Sequence, residues 1–193
     1  MKTTNYSRIY RIMHWAIAIT FLLLLITIFL RLTWMNKYNM ADIMQEHFKT
    51  TNPTLSYDEL VIVAKQIRKP MWDWHIAFGY VLVGLFSIRF TLPLFTREMK
   101  FQNPLSKGLS IKIRFQKWTY IIFYLCVVGS LVTGLLMEWG PEDWKKSVEE
   151  IHKLGIYYLV SFIIIHIAGV LIAEFTIQKG IISKIISGTR KQD

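Results

Sequence analysis

Histidine is the residue type with the most chemistry to offer in this sequence, and its placement is informative. Four of the five copies, His14, His75, His152 and His166, stand in or at the mouths of long apolar stretches, whereas His47 lies in a polar segment and reads as a surface residue. An imidazole can ligate a metal, relay a proton or bridge two helices by hydrogen bonds. Ionisable groups are costly among apolar segments in lipid, and where they occur they usually serve function. The single cysteine, Cys126, allows neither an internal disulfide nor a thiolate metal cluster. No serine or cysteine has a histidine at a partner position on one helix face, so hydrolysis is not expected.

The elements that carry these histidines are set by the solvent the chain demands. With 193 residues, 53% of them hydrophobic, and a mean hydropathy of +0.34, the chain is too apolar for an ordinary soluble domain. Crossing the hydrocarbon core takes about 20 mainly apolar residues in a helix. Four stretches qualify: Ile12 to Leu30 (12–30), Met71 to Phe95 (71–95), Trp118 to Met137 (118–137) and Leu154 to Ala173 (154–173). Runs such as Phe21 to Leu30 lack the alternation of a barrel strand, so the expected fold is all-α. The expectation is one integral membrane domain over 1–193, an up-down four-helix bundle. The first stretch is longer than the ~7 to 15 apolar residues of a secretory signal and no small-x-small site follows it, so it is expected to stay in the mature protein.

Lysine and arginine in the short loops set the orientation. Lys2, Arg8 and Arg11 precede the first stretch, and Arg97, Lys100, Lys107, Lys112, Arg114 and Lys117 follow the second against a single acid, Glu98. After the third stretch Lys145, Lys146 and Lys153 are outnumbered by Glu138, Glu142, Asp143, Glu149 and Glu150, and the tail adds Lys179, Lys184, Arg190 and Lys191. The positive-inside rule then makes both termini cytoplasmic. The formal charge of +10 is read as topology and attraction to anionic lipid rather than nucleic-acid binding, because no long basic cluster with interleaved aromatics stands outside the apolar stretches.

The longest polar piece, Arg31 to Pro70, then lies outside. Ser56 and Glu59 have capping-box spacing, and Leu60, Val61, Ala64 and Ile67 recur at helical intervals until Pro70. An extra amphipathic helix is expected there, either a lid or docking surface for a partner or a cover for hydrophobic helix ends. Trp34, Trp72, Trp74, Trp118, Trp139 and Trp144 fall near expected helix ends and read as headgroup-level anchors.

With the topology in place the histidines acquire depths. His14 opens the first helix on the cytoplasmic side, while His75 and His152 enter the second and fourth from outside. His166 follows His152 by 14 residues, about 21 Å along a helix and within about 40° of four full turns. Depth therefore pairs His14 with His166 and His75 with His152. Two histidine pairs at two depths suit two b-type haems, because imidazole is a standard axial ligand and a bundle core a standard cofactor site. No CxxCH is present for covalent attachment. A porphyrin also needs flat room beside its ligand, and Gly79, Gly155, Gly169 and Ala18 lie three or four residues after the four histidines. Taken singly, these small residues also read as ordinary helix packing sites, and each histidine as an interhelical hydrogen bond or part of a proton path.

The order of these residues resembles the bacterial cytochrome b561 family and the b-type subunits of nickel-iron hydrogenases. The resemblance is carried by the pair His14 and Trp15, by His75-x-x-x-Gly79 with Arg89, by His152 and His166, and by Tyr124 to Gly134 as a helix without ligands. It implies a four-helix dihaem cytochrome linked to quinone in the bacterial inner membrane, with ligands from the first, second and fourth helices. The outer segment is longer than in compact members. Arg89 stands 14 residues after His75, at the expected level of the cytoplasmic haem, where it could pair a propionate or a quinone oxygen, or snorkel to headgroups. On the outer side Arg68, Lys69 and Lys153 could steer an anion or a redox partner, or simply meet propionates and lipid. Three functions stay open: an electron conduit between quinone and an outer partner protein, a stand-alone superoxide:quinone oxidoreductase, and a haem-free histidine-bearing channel or transporter.

Overall fold

The computed structural model describes residues 6–51, 54–95, 103–176 and 178–188. All regular structure among them is helical: α1 Arg8–Leu32, α2 Lys37–Thr51, α3 Tyr57–Ile67, α4 Lys69–Phe95, α5 Ile111–Trp139, α6 Glu142–Lys153, α7 Gly155–Phe175 and α8 Ile181–Ile186. Four helical stretches, ending at Leu32, Phe95, Trp139 and Phe175, are long and apolar enough to cross a membrane. Their apolar side chains are largely uncovered, as Ile164 and Ile172 on α7 illustrate at 63% exposure each. Contiguous apolar surface of that kind needs lipid rather than water. Each span reaches beyond its apolar stretch. α5 starts at the Ser110 cap and carries Lys112, Arg114 and Lys117 in its first two turns, where long cationic stems can snorkel. Lys2, Arg97, Glu98, Lys100, Arg190 and Lys191, which weigh in the orientation argument, lie outside the described residues.

The chain divides into two compact units, Ala16–Gly84 and the remainder. In the first, the segment between spans holds two helices where one was expected. α2 and α3 pack through Ala41, Leu60 and Val61, with Met44, Phe48, Leu55 and Tyr57 against them. The expected capping box is formed: Ser56 N donates to Glu59 Oε2 at 2.8 Å, and Glu59 N donates to Ser56 Oγ at 3.4 Å. Tyr57 adds a hydrogen bond from its hydroxyl to Asp42 across the hairpin, 2.8 Å. Pro70 does not end α3. The helix stops at its cap Arg68, and Pro70 sits in the first turn of α4, where its missing N–H costs nothing.

In the second unit the surprise is α6. Gly140 ends α5 by donating its N–H to Leu136 O at 2.8 Å, and a Cβ there would collide with that same carbonyl. Pro141 then starts α6, whose first turn carries Glu142 and Asp143 and whose last carries His152 and Lys153, as the helix dipole favours. α6 packs on both α5 and α7, with Val148 buried. The chain closes on α8, entered through Gly180 at φ 82° and tied to α7 because the Glu174 carboxylate accepts from Gly180 N and Ile182 N, 2.8 and 3.1 Å. At its other end Arg11 and Trp15 of α1 donate to the carbonyls of Ile186 and Ile185.

Candidate functional site

Two of the four histidines meet. His14 lies in the second turn of α1 and His166 in the middle of α7, with ring centroids 6.1 Å apart and planes inclined by 45°. Imidazole nitrogens bind metals at roughly 2 Å, so two rings on opposite faces of one iron have centroids about 6 Å apart. The pair therefore has the spacing of a haem's axial ligands. His166 is steadied on both flanks: Phe162 stacks on it at 5.6 Å and in turn stacks on Phe123 of α5 at 3.6 Å. Tyr120 OH stands 3.3 Å from His166 Nδ1.

A hydroxyl from a neighbouring helix recurs at the other two histidines. Thr27 Oγ1 of α1 lies 2.7 Å from Nδ1 of His75 on α4, and Thr133 Oγ1 of α5 lies 3.0 Å from Nδ1 of His152. Interhelical hydrogen bonding, the plainer reading of these histidines, is thus present, yet it engages Nδ1 in each case. Haem or metal ligands usually have one ring nitrogen held in this way, which orients the other. His75 is also clasped face-on. Trp72 stacks on it with centroids 4.9 Å apart and planes 6° apart, and the Arg31 guanidinium covers Trp72 at 4.6 Å. Trp72 is therefore part of the histidine's setting as well as an aromatic near a helix end.

His152 stands near the start of the fourth helical stretch. It belongs to the last turn of α6, and only Leu154, at φ −64° and ψ −15°, stands between α6 and α7 within the helical stretch Glu142–Phe175. What faces the His152 ring is α5: a Cβ at Gly134 would come within 3.3 Å of its Cε1. A Cβ at Gly155 would meet Ser130 Oγ at 3.2 Å, so this glycine lets α7 approach α5 closely. Gly79 and Gly169 differ from it, because a Cβ at either meets nothing within 4 Å.

Arg89 of α4 donates from Nε to Tyr124 OH on α5 at 3.2 Å, with its guanidinium over the Tyr124 ring at 5.5 Å. The cations expected to steer an anion are engaged elsewhere. Lys69 pairs with Asp73, Lys153 with Glu149 and Glu150, and Arg68 reaches Met35 O. The ion pairs at Lys69 and Lys153 neutralise the local field. His47 is exposed on α2 beside Phe48. The sequence by itself does not mark Thr27, Tyr120, Thr133 or Gly134 as neighbours of a histidine. Only their helical phase relative to a histidine on another helix marks them, and that requires the packing.

The model of one protein family, described as prokaryotic cytochrome b561, matches residues 5–188. Comparison with curated proteins gives no match, and comparison with solved structures gives none.

Proposed function

The chain belongs to the prokaryotic cytochrome b561 family, a multi-pass membrane b-type cytochrome of electron transfer, and from that premise we propose that it carries two haems and exchanges electrons with quinone. His14 and His166 would hold one b-type haem, and their 6.1 Å separation is the observation that carries this reading. His75 and His152 would hold the second, an assignment that rests on their depth in the sequence. A bound haem supplies one-electron exchange at its iron.

The protein's own residues bind, orient and insulate. Phe162 and Trp72 fix the ring planes of His166 and His75. Gly79 and Gly169 keep space clear on the face of their histidine's helix. Arg89, held by Tyr124, is the cation we assign to a propionate or a quinone oxygen. The setting we propose is the bacterial inner membrane with both termini cytoplasmic and the α2–α3 hairpin outside, available to a partner protein. A conduit between quinone and that partner is preferred to a superoxide oxidoreductase, because Lys69 and Lys153 are ion-paired and offer little steering. Family membership leaves the haem-free channel without support.

Rapid mixing of the oxidised protein with a short-chain quinol tests the quinone link. Reduction of the b bands without any partner is expected; bands that stay oxidised over minutes contradict it.

A further inference from the structure

Thr27 and Thr133 do more than touch their histidines, because each has its single proton already committed. The Thr27 hydroxyl donates to Leu24 O at 2.6 Å, and the Thr133 hydroxyl donates to Gly129 O at 2.9 Å or Ser130 O at 3.1 Å. A hydroxyl has one O–H to give and two lone pairs to accept with. Towards the imidazoles at 2.7 and 3.0 Å, accepting is the role of these oxygens that leaves every contact satisfied. That arrangement puts the proton on Nδ1 in both His75 and His152, the latter also hydrogen-bonded to the Ser130 backbone, and the lone pair on Nε2.

We propose that Thr27 and Thr133 are positioning residues that lock His75 and His152 in the Nδ1–H tautomer, presenting Nε2 as the ligand nitrogen and setting its donor strength. Each pair lies within its own unit, so the relation holds separately for each. The two settings are built alike from different helices: a threonine whose hydroxyl proton goes back to a carbonyl three or four residues earlier in its own helix, turned towards a histidine on another. A β-branched residue has few χ1 choices in a helix, which fixes the oxygen for the histidine. Tyr120 at His166 is a weaker case, because its 3.3 Å contact does not fix which partner donates.

A ring that gives its Nδ1–H to an acceptor is a stronger donor through Nε2 and favours ferric iron, so removing the acceptor raises the reduction potential. The proposal rests on His75 and His152 being haem ligands, and its test separates the two claims. In the purified holoprotein, Thr27→Val and Thr133→Val, near-isosteric changes, are each expected to raise the potential of one of two b haems in a redox titration. They should also speed its loss to apomyoglobin by roughly 10-fold. Thr27→Ser and Thr133→Ser should restore both values. In the reduced, diamagnetic wild type, 15N-histidine spectra should show protons on Nδ1 of His75 and His152, a readout that does not depend on the variants folding.

Unchanged potential and loss rate in both valine variants, or no Nδ1 proton in the wild type, overturns the threonine assignment. His75→Ala tests the underlying reading by itself. If it keeps both haems the ligand assignment fails; if it loses one while Thr27→Val is silent, only the threonine's role fails.

Discussion

The imidazoles of His14 and His166, 152 residues apart in the chain, face each other with ring centroids 6.1 Å apart. Two imidazoles bound through nitrogen at roughly 2 Å to one iron would have that spacing. His166→Ala should therefore remove one b haem and leave the other. The reduced-minus-oxidised amplitude per chain should fall by about half, and His14→Ala should give the same loss with no further decrease in the double variant. Full amplitude in either single variant contradicts the pairing.

Room for a haem and room for a helix are distinguishable by leucine. At Gly79 a Cβ meets open space, so Gly79→Leu should lower the haem content by one while leaving the thermal stability of the haem-free protein nearly unchanged. At Gly155 it meets Ser130 Oγ, so Gly155→Leu should destabilise by about 1 to 3 kcal/mol, read as an earlier thermal transition. Equal haem content in Gly79→Leu and wild type would argue that the space near His75 is not the cofactor's.

The α2–α3 hairpin has its own stability, seated in a small core and one cap. Ser56→Ala removes the hydroxyl that accepts Glu59 N–H and should weaken α3 by ~1 kcal/mol. Faster amide hydrogen exchange in Tyr57–Ile67 checks this. The haem bands should not move.

Much of this was legible because lipid imposes simple rules. Length and hydropathy place each span to within a few residues of its apolar part, and the Ser56 and Glu59 spacing marks the start of α3. The missed α2 had signals of its own. Asn36 accepts from Tyr38 N at 3.0 Å and opens α2, and Ala41, Met44 and Phe48 then follow at helical intervals. The step from α6 to α7 at Leu154 carries no stop signal, because Leu154 keeps right-handed helical angles and Gly155 opens α7 without a positive φ. The threonine and tyrosine partners were beyond reach, since which hydroxyl meets which histidine depends on rotation and register between helices.

Orientation rests on charge and is open to labelling. In a Cys126→Ser background, Asp58→Cys in the hairpin should react with an impermeant maleimide added to intact cells. Ser106→Cys, in the segment before α5, should react only after permeabilisation. The reverse pattern would invert the topology.

The most direct measurement is haem content together with the reduced-minus-oxidised spectrum of the purified protein. Two non-covalent b haems per chain, both low-spin with two axial histidines by electron paramagnetic resonance, are expected. Absence of b bands, or a single haem per chain in fully loaded protein, would contradict the two histidine pairs.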